Sequence, residues 1–127
     1  MVKGSFATTI NCMDGRTQLP VIEWMKRTLG VDYVDSVTEP GPVKVLAEAP
    51  RSQPAHSMLG RTAISVEKHG SRHVAVVAHF DCAGNPEPKE VQLGQLERAV
   101  AAVRGWGFAV TVIGLWVDEN WQVEKVI

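Results

Sequence analysis

The sequence predicts an α/β fold: an open, mostly parallel five-stranded sheet in the order 2-1-3-4-5, with the last strand antiparallel and helices on its faces. Three observations point there. Short apolar, β-branched runs alternate with segments whose apolar residues recur at helical spacing. One of those runs, His73 to Ala78 (HVAVVA), is almost wholly apolar, as a strand buried on both faces should be. And each of the two cysteines, Cys12 and Cys82, follows closely on such a run. Bringing the two together makes the first and third strands neighbours. The winding then reverses between them, at the end of the sheet where open α/β folds bind ligands.

The elements follow in order. Phe6 to Asn11 (FATTIN) reads as the first strand. Thr17 to Leu29 reads as a helix with Leu19, Ile22, Met25 and Leu29 on its apolar face, Pro20 in its first turn and Gly30 at its C-cap. Val31 to Val37 is the second strand, and the Pro- and Gly-rich stretch from Thr38 to Pro54 is an ordered loop. Ser52 to His69 is a helix, with Ser52 as cap, Pro54 in the first turn, an apolar face of Ala55, Met58, Leu59, Thr62, Ala63 and Val66, and Gly70 as stop. The third strand is His73 to Ala78. Glu87 to Arg104 is the last helix, with Leu93, Leu96, Val100 and Val103 on one side. Phe108 to Val117 is the fourth strand, and Asp118-Glu119-Asn120 turns the chain into a short fifth, Trp121 to Val126.

At 127 residues the chain is read as one domain, 1–127, large enough to bury a core. With 45% apolar residues and a formal charge of -1 it is globular in composition. There is no basic excess or motif for nucleic acid. No apolar run approaches the ~20 residues of a membrane span, and Met1 to Phe6 has no signal-peptide apolar region. The expected compartment is the cytoplasm, where thiols stay reduced.

Candidate chemistry gathers in Cys12-Met13-Asp14-Gly15-Arg16 and His79-Phe80-Asp81-Cys82. The cysteines alone also read as two buried apolar residues, or as a disulfide in an oxidising setting. With His79 they make two sulfurs and one nitrogen, a soft-to-borderline set that suits Zn2+ and leaves a fourth position for water or substrate. Asp14 and Arg16 read either as a helix N-terminus with a surface ion pair or as part of that site.

At these residues the chain resembles the β-class carbonic anhydrases, which carry C-x-D-x-R after the first strand and H-x-x-C after the third. The likeness extends over nearly the whole chain, through the helix before HVAVVAHFDC to the final hairpin. It implies Cys12, His79 and Cys82 as zinc ligands, and Asp14 with Arg16 as the catalytic dyad that orients zinc-bound water or hydroxide. It further implies reversible hydration of carbon dioxide to bicarbonate. Two thiolates reduce the net charge on the metal, so Asp14 would help as a proton acceptor. Asp14 could also swing onto zinc as a fourth ligand in a closed state, and a bidentate pair with Arg16 would hold it away. The chain departs from the family in three ways. The first strand starts almost at Met1, where the family usually has helices ahead of it, Thr38 to Pro42 replaces a common Arg-Asn-Ala-Gly-Asn stretch, and Ala78 and Ala83 replace the usual flanking glycines. Without those helices, strand two would leave a bare edge and the sheet an uncovered apolar face, so a homodimer or higher homo-oligomer is expected. The other readings are a zinc hydrolase of a related heterocumulene (CS2 or COS) and a non-catalytic zinc-stabilised binding domain.

The remaining polar and aromatic residues have plainer readings. His56, His69 and His73 read as surface or partly buried histidines. Asp81 either faces solvent or supports the ligands beside it, and Trp24, Trp106, Trp116 and Trp121 are core or interface residues. Gly84-Asn85-Pro86 turns the chain into the last helix.

Overall fold

A computed structural model describes residues 3–127. The strands are β1 (Phe6–Cys12), β2 (Tyr33–Glu39), β3 (His73–His79), β4 (Thr111–Val117) and β5 (Val123–Lys125). The helices are α1 (Gly15–Leu29), α2 (Pro42–Glu48), α3 (Gln53–His69) and α4 (Lys89–Arg104). The sheet order is β2-β1-β3-β4-β5, parallel except for β4 with β5, as the sequence predicts.

Helix ends follow local chemistry. Asp14 caps α1, and Ser52 caps α3 by accepting the Ala55 amide. Gly30 and Gly70 close α1 and α3 in the left-handed conformation. On one face of the sheet, α2, α3 and α4 pack Leu46, Met58, Leu96 and Val100 against Ile10 and Val76. On the other, α1 lays Val21 and Met25 over Ala7, Ala75, Val77 and Leu115.

Several details depart from the sequence reading. The stretch from Thr38 to Pro54 contains a helix, α2. Gly41 at φ 53° turns the chain into it, Pro42 begins it, and Val43 and Leu46 are buried beneath it. β2 lies two residues later than expected, while β4 begins three residues later, at Thr111. Leu19 is 68% exposed, because the buried face of α1 runs through Thr17, Val21 and Met25 instead. The sheet face expected to be bare is covered: Ala75, Val77 and Leu115 are fully buried. The outer edge of β2 pairs with no strand among the described residues. Among those residues no helix is long and apolar enough to cross a membrane.

The loops after β2 and β3 meet back to back at two glycines. A Cβ on Gly84 would lie 2.8 Å from Gly41 N and 2.8 Å from Pro40 C, both backbone atoms that cannot step aside. Gly84→Ala is therefore expected to destabilise the fold by about 2 kcal/mol and lower the melting temperature by roughly 8 °C. Denaturant titration and thermal melts would measure this, and an unchanged midpoint would mean that the loops can separate at no cost.

Candidate metal centre

Cys12 and His79 are the last residues of β1 and β3. Both strands therefore carry their chemistry at their carboxyl ends, and Cys82 returns to the same point after a turn. Asp81 makes that turn by adopting φ 58°, a conformation that aspartate tolerates better than most residues. The ligating atoms of Cys12, His79 and Cys82 all lie within 4.8 Å of one another. All three residues are buried, at 4%, 1% and 4% exposure.

Backbone and amide contacts hold each piece. The Cys12 amide donates to Asn11 Oδ1 at 2.8 Å, and Gln18 Nε2 donates to Cys12 O at 2.7 Å. Gln92 Nε2 donates to His79 O at 2.9 Å, and Phe80 N to Val117 O at 2.8 Å. His79 Nδ1–H donates to Phe80 O at 2.7 Å, which fixes the tautomer and leaves the Nε2 lone pair facing the thiols.

The donor set fits a metal ion. His79 Nε2 is buried and has no hydrogen-bond partner, a state that ordinarily costs ~1–3 kcal/mol. The sulfurs are 3.9 Å apart and unbonded, so no disulfide joins them. Two sulfurs on one tetrahedral zinc, each about 2.3 Å from it, would be about 3.8 Å apart. Contact with Cys82 holds the Cys12 thiol below its ordinary value, helped by the amides of Gly41 and Asp14. The same contact, with burial, pushes Cys82 up. The pair thus keeps one proton, which a dication would displace. Burial disfavours the His79 imidazolium, but the Cys12 thiolate and the Phe80 carbonyl outweigh it and raise the pKa.

Asp14 and Arg16 stand beside this cluster, near enough for the Asp14 charge to act on His79. Asp14 Oδ1 accepts the Arg16 amide at 2.9 Å and Nε at 3.0 Å, and Oδ2 accepts Nη2 at 2.7 Å. This bidentate grip holds the carboxyl well below its usual range, at about 2. Arg16 also reaches across to the other motif. Its Nη1 donates to Asp81 Oδ2 at 3.2 Å and its Nη2 to Asp81 O at 3.0 Å, while its guanidinium carbon lies 4.6 Å from the centre of the Trp121 ring. A cleft of about 620 Å³, bounded by Phe80, Asp81, Cys82, Lys89 and Trp116, reaches the Cys82 side of the cluster.

The five residues singled out from sequence thus come together. Sequence reasoning did not find Asn11, Gln18 and Gln92, whose amide groups leave no spacing signal. It also missed the roles of Asp81 and Trp121 against Arg16. His56 is exposed on α3. His69 pairs with Asp35 at 2.6 Å and stacks on Phe6.

Fold and cluster together define an α/β protein with a thiolate–imidazole group at its switch point. Residues 2–127 match the family model described as "Putative carbonic anhydrase", and the chain belongs to that family. It is similar in fold to the carbonic anhydrase of Streptococcus mutans, with 16% identity, 94% of this chain and 81% of that one covered, and a TM-score of 0.63. It is likewise similar to a tetrameric β-carbonic anhydrase of the filamentous ascomycete Sordaria macrospora, with 11% identity, 98% and 82% covered, and a TM-score of 0.64. Among curated proteins none matches.

The acid stability of the fold tests the Asp14–Arg16 pair. A carboxyl lowered by folding stabilises the folded state above its ordinary 3.8, and that contribution is lost as pH falls toward about 2. Asp14→Asn should flatten the loss of stability between those two values, as followed by circular dichroism melts. An unchanged acid limb would show that the pair does not couple to folding.

Proposed function

We propose that this chain, loaded with one zinc ion on Cys12, His79 and Cys82, catalyses the reversible hydration of carbon dioxide to bicarbonate. The observation that carries this reading is the convergence of two thiols and an orphaned imidazole nitrogen at the switch point of a carbonic-anhydrase-family fold. Zinc bound there supplies the Lewis acidity by which water becomes a nucleophile near neutral pH.

The chain's own groups do the rest. His79 offers Nε2 because Phe80 O holds the proton on Nδ1. Cys12 is already disposed to the thiolate form, so it binds with little proton loss. Asp14 stays ionised at any physiological pH and acts only as an acceptor. Arg16 N and Nε fill Oδ1, while Oδ2 takes Nη2 and only a longer 3.2 Å contact from Nε, so Oδ2 is the oxygen with more room to accept from a reacting water. Arg16 keeps that carboxylate in place. Burial of the three ligands excludes bulk water from the centre and strengthens every electrostatic interaction there.

The same reading includes a homodimer or larger homo-oligomer. The open edge of β2 and the exposed Met13, Leu19 and Phe80 support it, and the similar Sordaria protein is tetrameric. Light scattering at micromolar concentration should report at least twice the 13.9 kDa chain mass, and a stable monomer would refute the assembly.

Metal analysis of protein prepared without chelators should find about one zinc per chain. Cys82→Ser should lose the metal. At a thousandfold excess of free zinc over Kd, that variant should also lack ~4 kcal/mol of stabilisation. Asp14→Asn should keep zinc yet lower the stopped-flow CO2 hydration rate about a hundredfold. Full rates in Asp14→Asn, or metal-free protein with no hydration activity, would sink the assignment.

A further inference from the structure

Among the described residues, two that are not glycine have positive φ: Asp81 and Trp121, both at 58°. They belong to different loops, one after β3 and one between β4 and β5, and both touch the same guanidinium. Asp81 meets Arg16 with a carboxylate oxygen and with its main-chain carbonyl. Trp121 meets it with the face of its ring. Asp14 takes the remaining side.

The hairpin makes Trp121 the more informative of the two. Trp121 N donates to Asp118 O at 3.0 Å and Asp118 N to Gln122 O at 3.0 Å. A three-residue loop of this kind ends on a left-handed residue, and glycine occupies that position without strain. Asp118 Oδ1 already secures the turn by accepting the amides of Asn120 and Gln122, so the ring is not needed to form it. A bulky residue held in this conformation stores strain, and such outliers gather where the side chain has a task. The task visible here is the stack on Arg16. Asp14 grips one edge of Arg16, but the pair on the other side is open: the Arg16 side chain is 45% exposed and that of Asp81 68%, too exposed to hold that side alone. A ring face against the guanidinium supplies the restraint that this exposed pair lacks.

We propose that Trp121 and Asp81 are positioning residues that lock the Arg16 guanidinium and, through it, set the Asp14 carboxylate beside the Cys12–His79–Cys82 centre. The catalytic consequence rests on the function proposed above, whereas the restraint on Arg16 does not. The two can therefore fail separately.

The restraint is read by nuclear magnetic resonance on the metal-free chain. The Arg16 side-chain protons should be shifted upfield by the Trp121 ring. In Trp121→Gly that shift should vanish and Arg16 Nε–H exchange should quicken about three- to tenfold. Trp121→Phe keeps a ring face and should restore slow exchange. Asp81→Asn keeps a residue that tolerates the left-handed turn and should speed exchange by removing the charge. If Trp121→Gly fails to fold, the Phe and Asn variants decide. Exchange and shifts unchanged from the parent in Trp121→Gly or Asp81→Asn overturn the lock. In zinc-loaded protein, Trp121→Gly should lower kcat for CO2 hydration with zinc content and KM retained, and Trp121→Phe should recover it. Parental kcat in Trp121→Gly overturns the positioning role. A parent without hydration activity instead overturns the proposed function, and Arg16 exchange still judges the lock.

Discussion

The parallel pairing of β1 with β3 governs what this chain can do, because it brings two strand ends that are far apart in sequence to one crevice. The ladder between them is short. It joins Thr8, Thr9 and Ile10 to Val74, Ala75 and Val76 and then stops, although β1 continues to Cys12 and β3 to His79. On their outer sides both strands stay paired to the end, Cys12 with Glu39 and His79 with Val117. Each strand is therefore firmly held from outside while the gap between the two opens. Side chains at those last positions turn toward each other across a space that no backbone hydrogen bond fills. That is the physical content of a switch point, and it explains why the ligating atoms meet there.

Departures from local regularity concentrate around that gap. The orphaned Nε2 of His79, the two close sulfurs and the two left-handed non-glycine residues all lie at or beside it. Elsewhere α1 and α3 are capped and β3 and β4 buried in the ordinary way, and of the other buried polar atoms without a partner Thr9 Oγ1 and Thr62 Oγ1 sit inside regular elements. Unpaired buried atoms and strained backbone each oppose folding by ~1–3 kcal/mol. An unpaired imidazole, two close sulfurs and two strained residues gathered at one crevice have the signature of a site shaped for something other than stability.

Much of this was legible in the sequence because it depends on periodicity and on side chains of distinctive chemistry. Apolar runs located the strands, Gly30 and Gly70 the helix ends, and the sharing of one centre by Cys12 and Cys82 the strand order. What escaped has physical reasons. α2 is only seven residues long and enters through Gly41-Pro42, a pair that reads as a turn. Its Pro42 start and the Val43–Leu46 spacing were the available signals. Leu19 was placed on the apolar face by its hydrophobicity, yet Thr17, Val21 and Met25 are one turn apart and define the buried stripe. The stack of Trp121 on Arg16 joins positions 105 residues apart, counting from 16 to 121, and no local pattern encodes it. A tryptophan where a hairpin calls for glycine was the local conflict that marked it.

The two loops that complete the centre are tied together by the same atoms that condition its sulfurs. Gly41 and Gly84 approach so closely that neither has room for a side chain, which couples the segment after β2 to the segment after β3. The Gly41 amide favours the thiolate of Cys12, and the Gly84 and Asn85 amides act in the same sense on Cys82. Amide hydrogens are fixed partial positive charges, and in a buried setting they stabilise thiolate more than they would in water. One backbone contact thus performs two jobs. It joins the loops, and it keeps their amides near enough to the sulfurs to favour the thiolate form. A substitution at either glycine would disturb the electrostatics of the centre as well as its packing, even though neither residue has a side chain to offer a ligand.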